Sequence, residues 1–408
     1  MRSSPLFSSL VLLILSSSAV SMAATVNAAS CSRADVESAM NTAANGDTVQ
    51  IPAGDCTGAS KWDATIDWNR SAKGDKALII NGAGIGQTLI ESMSTTCAYN
   101  TAPFRIYGSF TQPWQFSGIE WTGCSVWFQG GQVDDIRIYD NKFNDIGGHT
   151  LSFGPSDAPT LLQYVGVVDH NVFYNGNGTT SAVIAIYWSN QAWDRDQTLG
   201  TSDALVFENN TFLFNNCSTT DQPAEIIAAN AGARYVFRHN YVSACYNASP
   251  VRQMGTILDA HGKCQNPTTV GTGAVSVEIY KNRLHSQQSF RSIHIRGGKG
   301  VVYDNTLIGS FTTPLELTDY AYCSNPVCDA GELCGAYPCA HQVNNFYLWS
   351  NTGISSATVA ACAADVIQVN RDFFETFQQG YTAYTYPHPL TGTVYAQKPN
   401  LWRRGNGQ

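Results

Sequence analysis

The sequence predicts an all-β chain, wound as a single-stranded right-handed parallel β-helix with a short N-terminal capping helix. Three observations carry this. A strand-and-bend pattern recurs from Ile136 onward, its copies are spaced as in a solenoid, and the amino end holds a short amphipathic segment suited to closing an exposed core.

The pattern is two or three β-formers, two variable residues, an Asn, any residue, then an apolar one. It reads IRIYDNKF (136–143), VVDHNVF (167–173), VFENNTF (206–212), YVFRHNYV (235–242), VEIYKNRL (277–284) and VVYDNTL (301–307), with a weaker copy FYLWSNTG (346–353). The aligned residues are Asn141, Asn171, Asn210, Asn240, Asn282, Asn305 and Asn351, separated by 30, 39, 30, 42, 23 and 46 residues. Each interval fits one short coil with an insertion, or two coils. Asn suits a sharp corner because it tolerates left-handed backbone and bonds nearby backbone groups, and stacked coils bring such side chains into a ladder. The apolar residue two places later then turns inward. No repeat buries its apolar face alone, so the coils must stack. An antiparallel sandwich does not explain Asn at one aligned place, and a propeller needs longer, more regular blades.

At the amino end, Ser32 and Asp35 form a capping-box-like start, and Val36, Ala39, Met40 and Ala43 share one helical face. Gly46 ends this helix, and a strand begins at Thr48. Residues 1–30 read as a secretory signal: Arg2, an apolar run from Leu10 to Leu15, and a small-residue tail with cleavage between Ala23 and Ser30. The run is too short to span a bilayer and no other stretch is long and apolar enough, so no membrane span is expected. A lipid anchor through Cys31 is the alternative, although Ala28 stands where a larger aliphatic residue is usual.

Residues 31–408 are expected to form one monomeric domain: 31–54 the cap and first strand, 319–345 a Cys-rich loop, and 356–408 a tail packed on the solenoid. The even count of 12 Cys fits an oxidising compartment. Cys323, Cys328, Cys334 and Cys339 are spaced more widely than zinc pairs usually are, so local disulfides are expected there. Lys and Arg total 23 against 31 Asp and Glu, a formal charge of −8, which argues against a nucleic-acid partner.

The segment ADVESAMNTAANGDTVQIPAG resembles the start of secreted right-handed parallel β-helix proteins of the pectate-lyase-like superfamily. The Asn-containing repeats resemble that superfamily's coils, and together they cover roughly residues 31–355. The resemblance implies a fold and a choice of activities: polysaccharide lyase, glycoside hydrolase, esterase, epimerase or adhesin. Fold alone does not select among them.

A second strand candidate follows each corner: HTLSF (149–153), VIAIYW (183–188), AEIIAA (224–229), TILDAH (256–261), SIHIR (292–296) and PLELT (314–318). Stacked about 4.8 Å apart, their alternation sorts the faces. Leu258, Ala260, Ile293 and Ile295 face the core, while Asp259, His261, His294 and Arg296 face out. Glu225 is expected on the face opposite Ile226 and Ala228. One outer wall would then gather Glu225, Asp259, His261, His294 and Arg296 from neighbouring coils. The insertions at 187–204, 215–223 and 246–256 would wall a groove, with Tyr187, Trp188 and Trp193 as surfaces for a sugar ring. Between Ile279 and Tyr303 lie Lys281, Arg283, Arg291, Arg296 and Lys299 without any Asp or Glu, a positive zone suited to an acidic sugar.

The leading expectation is a lyase acting on an acidic, uronate-containing polysaccharide by β-elimination. His261 would be the base and Arg296 would neutralise the carboxylate, with Arg291 or Lys299 assisting and His294 beside them. Glu225 and Asp259 would orient His261 or hold calcium, although no full calcium motif is present. A hydrolase using Glu225 and Asp259 is the alternative. The polygalacturonase-like combination of paired aspartates, G-H-G and R-x-K is absent. A non-catalytic glycan-binding or adhesion protein is the third reading.

Overall fold

The computed structural model describes residues 23–391 except 95–96, 98–100, 147, 155–162, 177–181, 189–197, 215–224, 245–253, 262–272 and 320–341. The four cysteines of the expected Cys-rich loop therefore lie outside the described residues, as do residues 1–22. What remains is a parallel β-helix. One sheet has 12 strands among the described residues, from Thr25–Asn27 to Phe373–Phe374, and a second has 17.

The coils that turn at Asn141, Asn171, Asn210 and Asn240 each give one strand to the first sheet and two to the second, and the next two give one long strand, Arg283–Ile295 and Thr306–Leu317, in place of the pair. In one coil these are Arg234–Arg238, Tyr241–Ala244 and Met254–Ala260. The second sheet is thus two adjoining stacks. Tyr241–Ala244 pairs with the start of the long strand Arg283–Ile295, and Met254–Ala260 pairs with its end.

The asparagines form a continuous buried ladder. Nδ2 of Asn141, Asn171, Asn210, Asn240, Asn282 and Asn305 each donates to Oδ1 of the next Asn at 2.9–3.2 Å. Consecutive asparagines touch, so every interval is one coil, and the two-coil alternative falls away. The left-handed backbone is carried by the residue before each Asn: Asp140, His170, Asn209, His239, Lys281, Asp304 and Ser350 all have φ between 52° and 56°. The work is divided. The preceding residue makes the bend at a cost of roughly 1–2 kcal/mol, and the Asn satisfies the corner's backbone with bonds worth about 1 kcal/mol each.

Two places after the ladder, Phe143, Phe173 and Phe212 stack inside at 4.6 and 4.5 Å between ring centres, followed by Val242, Leu284 and Leu307. Alternation along each strand supplies the rest of the core.

The helix Arg33–Thr42 is capped by Ser32, whose side chain accepts from the Asp35 N–H, and it buries Val36, Ala39 and Met40. It stops at Ala43, with Gly46 in the turn beyond. The strand Thr25–Asn27 pairs with Thr48–Gln50, so the fold begins upstream of the Cys31 boundary, and cleavage at Ala28 would remove a strand. Cys31 is bonded to Cys56. That corrects the lipid-anchor alternative, because a disulfide sulfur has no thiol left to acylate. Cys97 pairs with Cys124, and no helix among the described residues is long and apolar enough to cross a membrane.

The described part of the tail crosses the outer face of the first sheet. Buried Arg238 donates to the carbonyls of Tyr384 and Thr385, Tyr381 Oη donates to Glu278, and the His388 N–H donates to Glu208.

Candidate functional site

The site forms on the second stack of the second sheet. Register aligns Ala228, Asp259, His294 and Glu316 across four coils, with Ile227, Leu258, Ile293 and Leu315 as their inward neighbours. The ladder continues past the strand ends: the His261 N–H bonds the Ala229 carbonyl, and the Arg296 N–H bonds the Ala260 carbonyl. His261 and Arg296 therefore stand side by side in adjoining coils, 35 residues apart in sequence.

Arg296 is the hub. Its Nε and Nη2 grip Asp259 at 3.1 and 2.9 Å, a two-pronged pair with a fully buried carboxylate. Nη2 also donates to Glu225 Oε1 at 3.3 Å, Nη1 meets His261 Nε2 at 3.2 Å, and Nε meets His294 Nδ1 at 3.1 Å. A guanidinium only donates, so both imidazole nitrogens facing it are acceptors. His261 thus presents a basic lone pair, and its proton sits on Nδ1. His294 carries its proton on Nε2, which faces Thr318 Oγ1 at 3.0 Å. Burial, then the charges of Arg296 and Arg291, push the His294 pKa down to about 2, so this ring stays neutral.

Glu225 moves the other way. Burial first, then the adjacent Asp259 carboxylate, raises its pKa well above the ordinary range, and it hydrogen-bonds Asp259. It holds a proton at neutral pH and sits between Asp259 and Arg296.

The Glu225–Asp259 contact bears on the hydrolase reading. A glycosidase pair stands about 5 Å apart or more to admit sugar or water. These two groups bond each other and share one guanidinium nitrogen, which leaves no room for either. The two carboxyls expected to hold calcium both accept from Arg296 Nη2.

Several expected residues are placed differently. Trp188 is 2% exposed and belongs to the interior cluster, so it offers no sugar-stacking face. It continues the inward alternation of Ile184 and Ile186, and its backbone N–H still bonds the Ala231 carbonyl of the next coil. Tyr187 is half-buried, on the outer column that runs through Asn230 toward His261, two coils or about 10 Å away. Trp193 and most of the expected groove walls lie outside the described residues.

The positive zone is dispersed. Lys299 is on the first sheet opposite Ser276, around the Gly297–Gly298 corner from Arg296. Lys281 and Arg283 flank the Asn ladder, and Arg291 is paired with Glu316.

Inside Glu225–Asn230 the core-facing residues are Ile227 and Ala229, while Ala228 aligns with Asp259. The row Glu225–Thr256–Arg291 lies an odd three residues from the row Ala228–Asp259–His294, so strict alternation would turn Glu225 inward with Ile227, yet it reaches Arg296. Ile226 and Ile227 both enter the core, which marks a bend between the rows. Glu316 and Thr318, which support Arg291 and His294, are additions to the expected site. Their signal was present, since PLELT aligned on SIHIR puts Glu316 beside His294.

No family model matches the sequence. No curated protein matches it either. Among solved structures, an alginate lyase from Paenibacillus sp. str. FPU-7 is similar with a TM-score of 0.40 and 14% identity, over 71% of this chain and 97% of that one. A likeness of that size decides nothing about chemistry, so the functional reading rests on the Arg296 cluster.

Proposed function

We propose that this protein is a secreted polysaccharide lyase that cleaves an acidic, uronate-containing chain by β-elimination. One observation carries the reading. His261 holds a neutral imidazole, lone pair outward from its ring, against a guanidinium on a wall where one carboxyl is protonated and the other is paired.

The uronate carboxylate docks on Arg296 and takes the N–H that His261 Nε2 accepts in the free protein. Nε2 is then released to remove the proton next to the carboxyl group. An imidazolium formed beside Arg296 is repelled unless negative charge develops between them. The enolate-like anion supplies that charge at the same moment, so the cluster favours the transition state over bound substrate. A neutral sugar supplies no such charge. The wall can receive an anionic one because its own carboxyls are already neutralised. His294 and Asp259 position the guanidinium without meeting the substrate.

The test is to incubate the full chain with a panel of polyuronates, with and without calcium, and to follow the ultraviolet absorbance of the unsaturated uronate product. Turnover that His261→Ala abolishes while the fold persists is the expected result. Reducing ends without that absorbance would mean hydrolysis. Retention on a glycan without any product would mean a binding protein.

A further inference from the structure

The placement of the candidate base relative to the other groups on Arg296 carries a stereochemical consequence, which rests on the lyase reading above. We infer that Glu225 is the acid that protonates the departing oxygen, on the same side of the sugar as His261, so that elimination is syn and the cleaved unit is D-mannuronate or D-glucuronate.

The geometry is that of one guanidinium edge. His261 meets Nη1 and Glu225 meets Nη2 of the same Arg296, while Asp259 spans Nε and Nη2 and His294 meets Nε. Glu225 and Arg296 keep 15% and 14% of their side-chain surface, whereas Asp259 keeps none, so the Nη edge is the open one. Two groups fixed to the two ends of one planar cation share a wall. A sugar lying on that wall presents a single face to both. Anti elimination requires the base and acid on opposite faces of the ring, with the sugar between them.

The two groups also differ in the way an acid–base pair requires, one holding a proton and the other presenting an acceptor nitrogen. Glu225 is kept protonated by burial and by Asp259, and His261 is kept neutral with its acceptor nitrogen toward Arg296.

The step balances. The C5–H bond breaks and its proton goes to His261 Nε2. The electron pair forms the C4=C5 double bond, the C4–O4 bond breaks, and O4 takes the Glu225 proton to become the hydroxyl of the leaving chain. Proton return from His261 to Glu225 through solvent restores the site without any further reactant.

The stereochemistry selects the substrate. In O4-linked D-mannuronate and D-glucuronate, H5 and O4 lie on the same face of the ring. In D-galacturonate and L-guluronate they lie on opposite faces. A site with base and acid on one wall therefore serves the first pair and not the second.

The experiment compares initial rates of unsaturated-product formation by the full chain on polymannuronate, a D-glucuronate polymer, polyguluronate and de-esterified polygalacturonate. The expected result is a preference of at least ~10-fold for one of the first two over both of the others. Equal or faster cleavage of polyguluronate or polygalacturonate overturns the syn assignment and leaves the lyase reading standing. No product on any polymer sinks both.

Glu225→Gln keeps the size and hydrogen bonds of the protonated acid, and it should lower kcat on the order of 100-fold with KM little changed. On an oligomer whose O4 carries a phenolate leaving group, the same variant should recover most of that loss. An equal loss on both substrates would show that Glu225 only positions its neighbours, and would overturn its role as acid.

Discussion

Glu225→Gln also has a consequence for stability that can be measured without any substrate. Burial raises the Glu225 pKa above its unfolded value near 4.5, so the native state keeps a proton that the unfolded chain gives up as pH rises. Native stability from this group is whole below about pH 4.5 and is lost as pH climbs toward the folded value. One proton corresponds to about 1.4 kcal/mol per pH unit. His294 runs oppositely. Its folded pKa of about 2 lies below the unfolded 6.5, so its contribution is whole above pH 6.5 and is lost as pH falls toward 2. Between the two unfolded values the slopes offset each other, and above pH 6.5 only the Glu225 loss remains of the two.

Gln preserves the acceptor for Arg296 and the donor for Asp259 but cannot ionise. The variant should therefore gain on the native protein by about 3 kcal/mol between pH 5 and pH 7, or roughly 4 °C in unfolding midpoint for a chain this long. Paired urea or thermal melts across that window, read by near-ultraviolet circular dichroism, give the difference directly. Other titrating groups cancel because they are common to both proteins. Two curves that stay parallel would mean that Glu225 is already ionised in the folded state, and the assignment of its proton would be wrong.

Substitutions at three further positions probe the scaffold. Asn240→Ala removes an Oδ1 that accepts twice from Asn210 and an Nδ2 that donates to Phe207 and Asn282, so chemical denaturation should show a loss of about 3 kcal/mol. Asn240→Asp should be no better, since a carboxylate cannot donate to either partner. Arg238→Ala leaves Glu208 buried without its guanidinium and frees two tail carbonyls. It should cost about 3–5 kcal/mol and open 371–391 to limited proteolysis. Trp188→Ala should cost about 3–5 kcal/mol of stability, with the KM of any surviving fold unchanged. A raised KM at full stability would restore its surface role.

The coil architecture was legible because it rests on a residue type with a local job. An Asn whose side chain must meet the next Asn recurs at a fixed point of the coil whatever is inserted elsewhere. His261 and Arg296 could be paired from sequence for the same reason, since alternation counted from a known corner fixes the face. Counting failed where the strand bends. Glu225 reaches the cluster because alternation breaks at Ile226 and Ile227, which are both buried, whereas Trp188 simply alternates inward with Ile184 and Ile186. The sequence also overstated Arg296 as a charge awaiting substrate. Its bonds to Asp259, Glu225 and two histidines depend on three strands at once, and no local pattern reports how fully a cation is already paired. Lys299 was misplaced because a two-glycine corner sends the chain to another sheet within three residues.

Three of the cluster's residues, Arg291, His294 and Arg296, sit on the coil with the least added to it. Asn282 to Asn305 is the shortest interval, 23 residues, and its strand Arg283–Ile295 runs unbroken across both stacks of the second sheet. Gly298 turns the chain back at once with φ of 76°, where a Cβ would lie 2.5 Å from the carbonyls of Ala274 and Val275. Nothing can be inserted between Arg296 and that corner without breaking the approach. Arg291, His294 and Arg296 are therefore fixed by strand pairing on both sides, which holds side chains more tightly than a loop does. The neighbouring intervals, 42 and 46 residues, carry the added length. Asp259 and His261 come from the 42-residue coil and Glu225 from the 30-residue coil before it, so the five groups are drawn together across three coils, with Arg296 on the bare rung as the fixed point they meet.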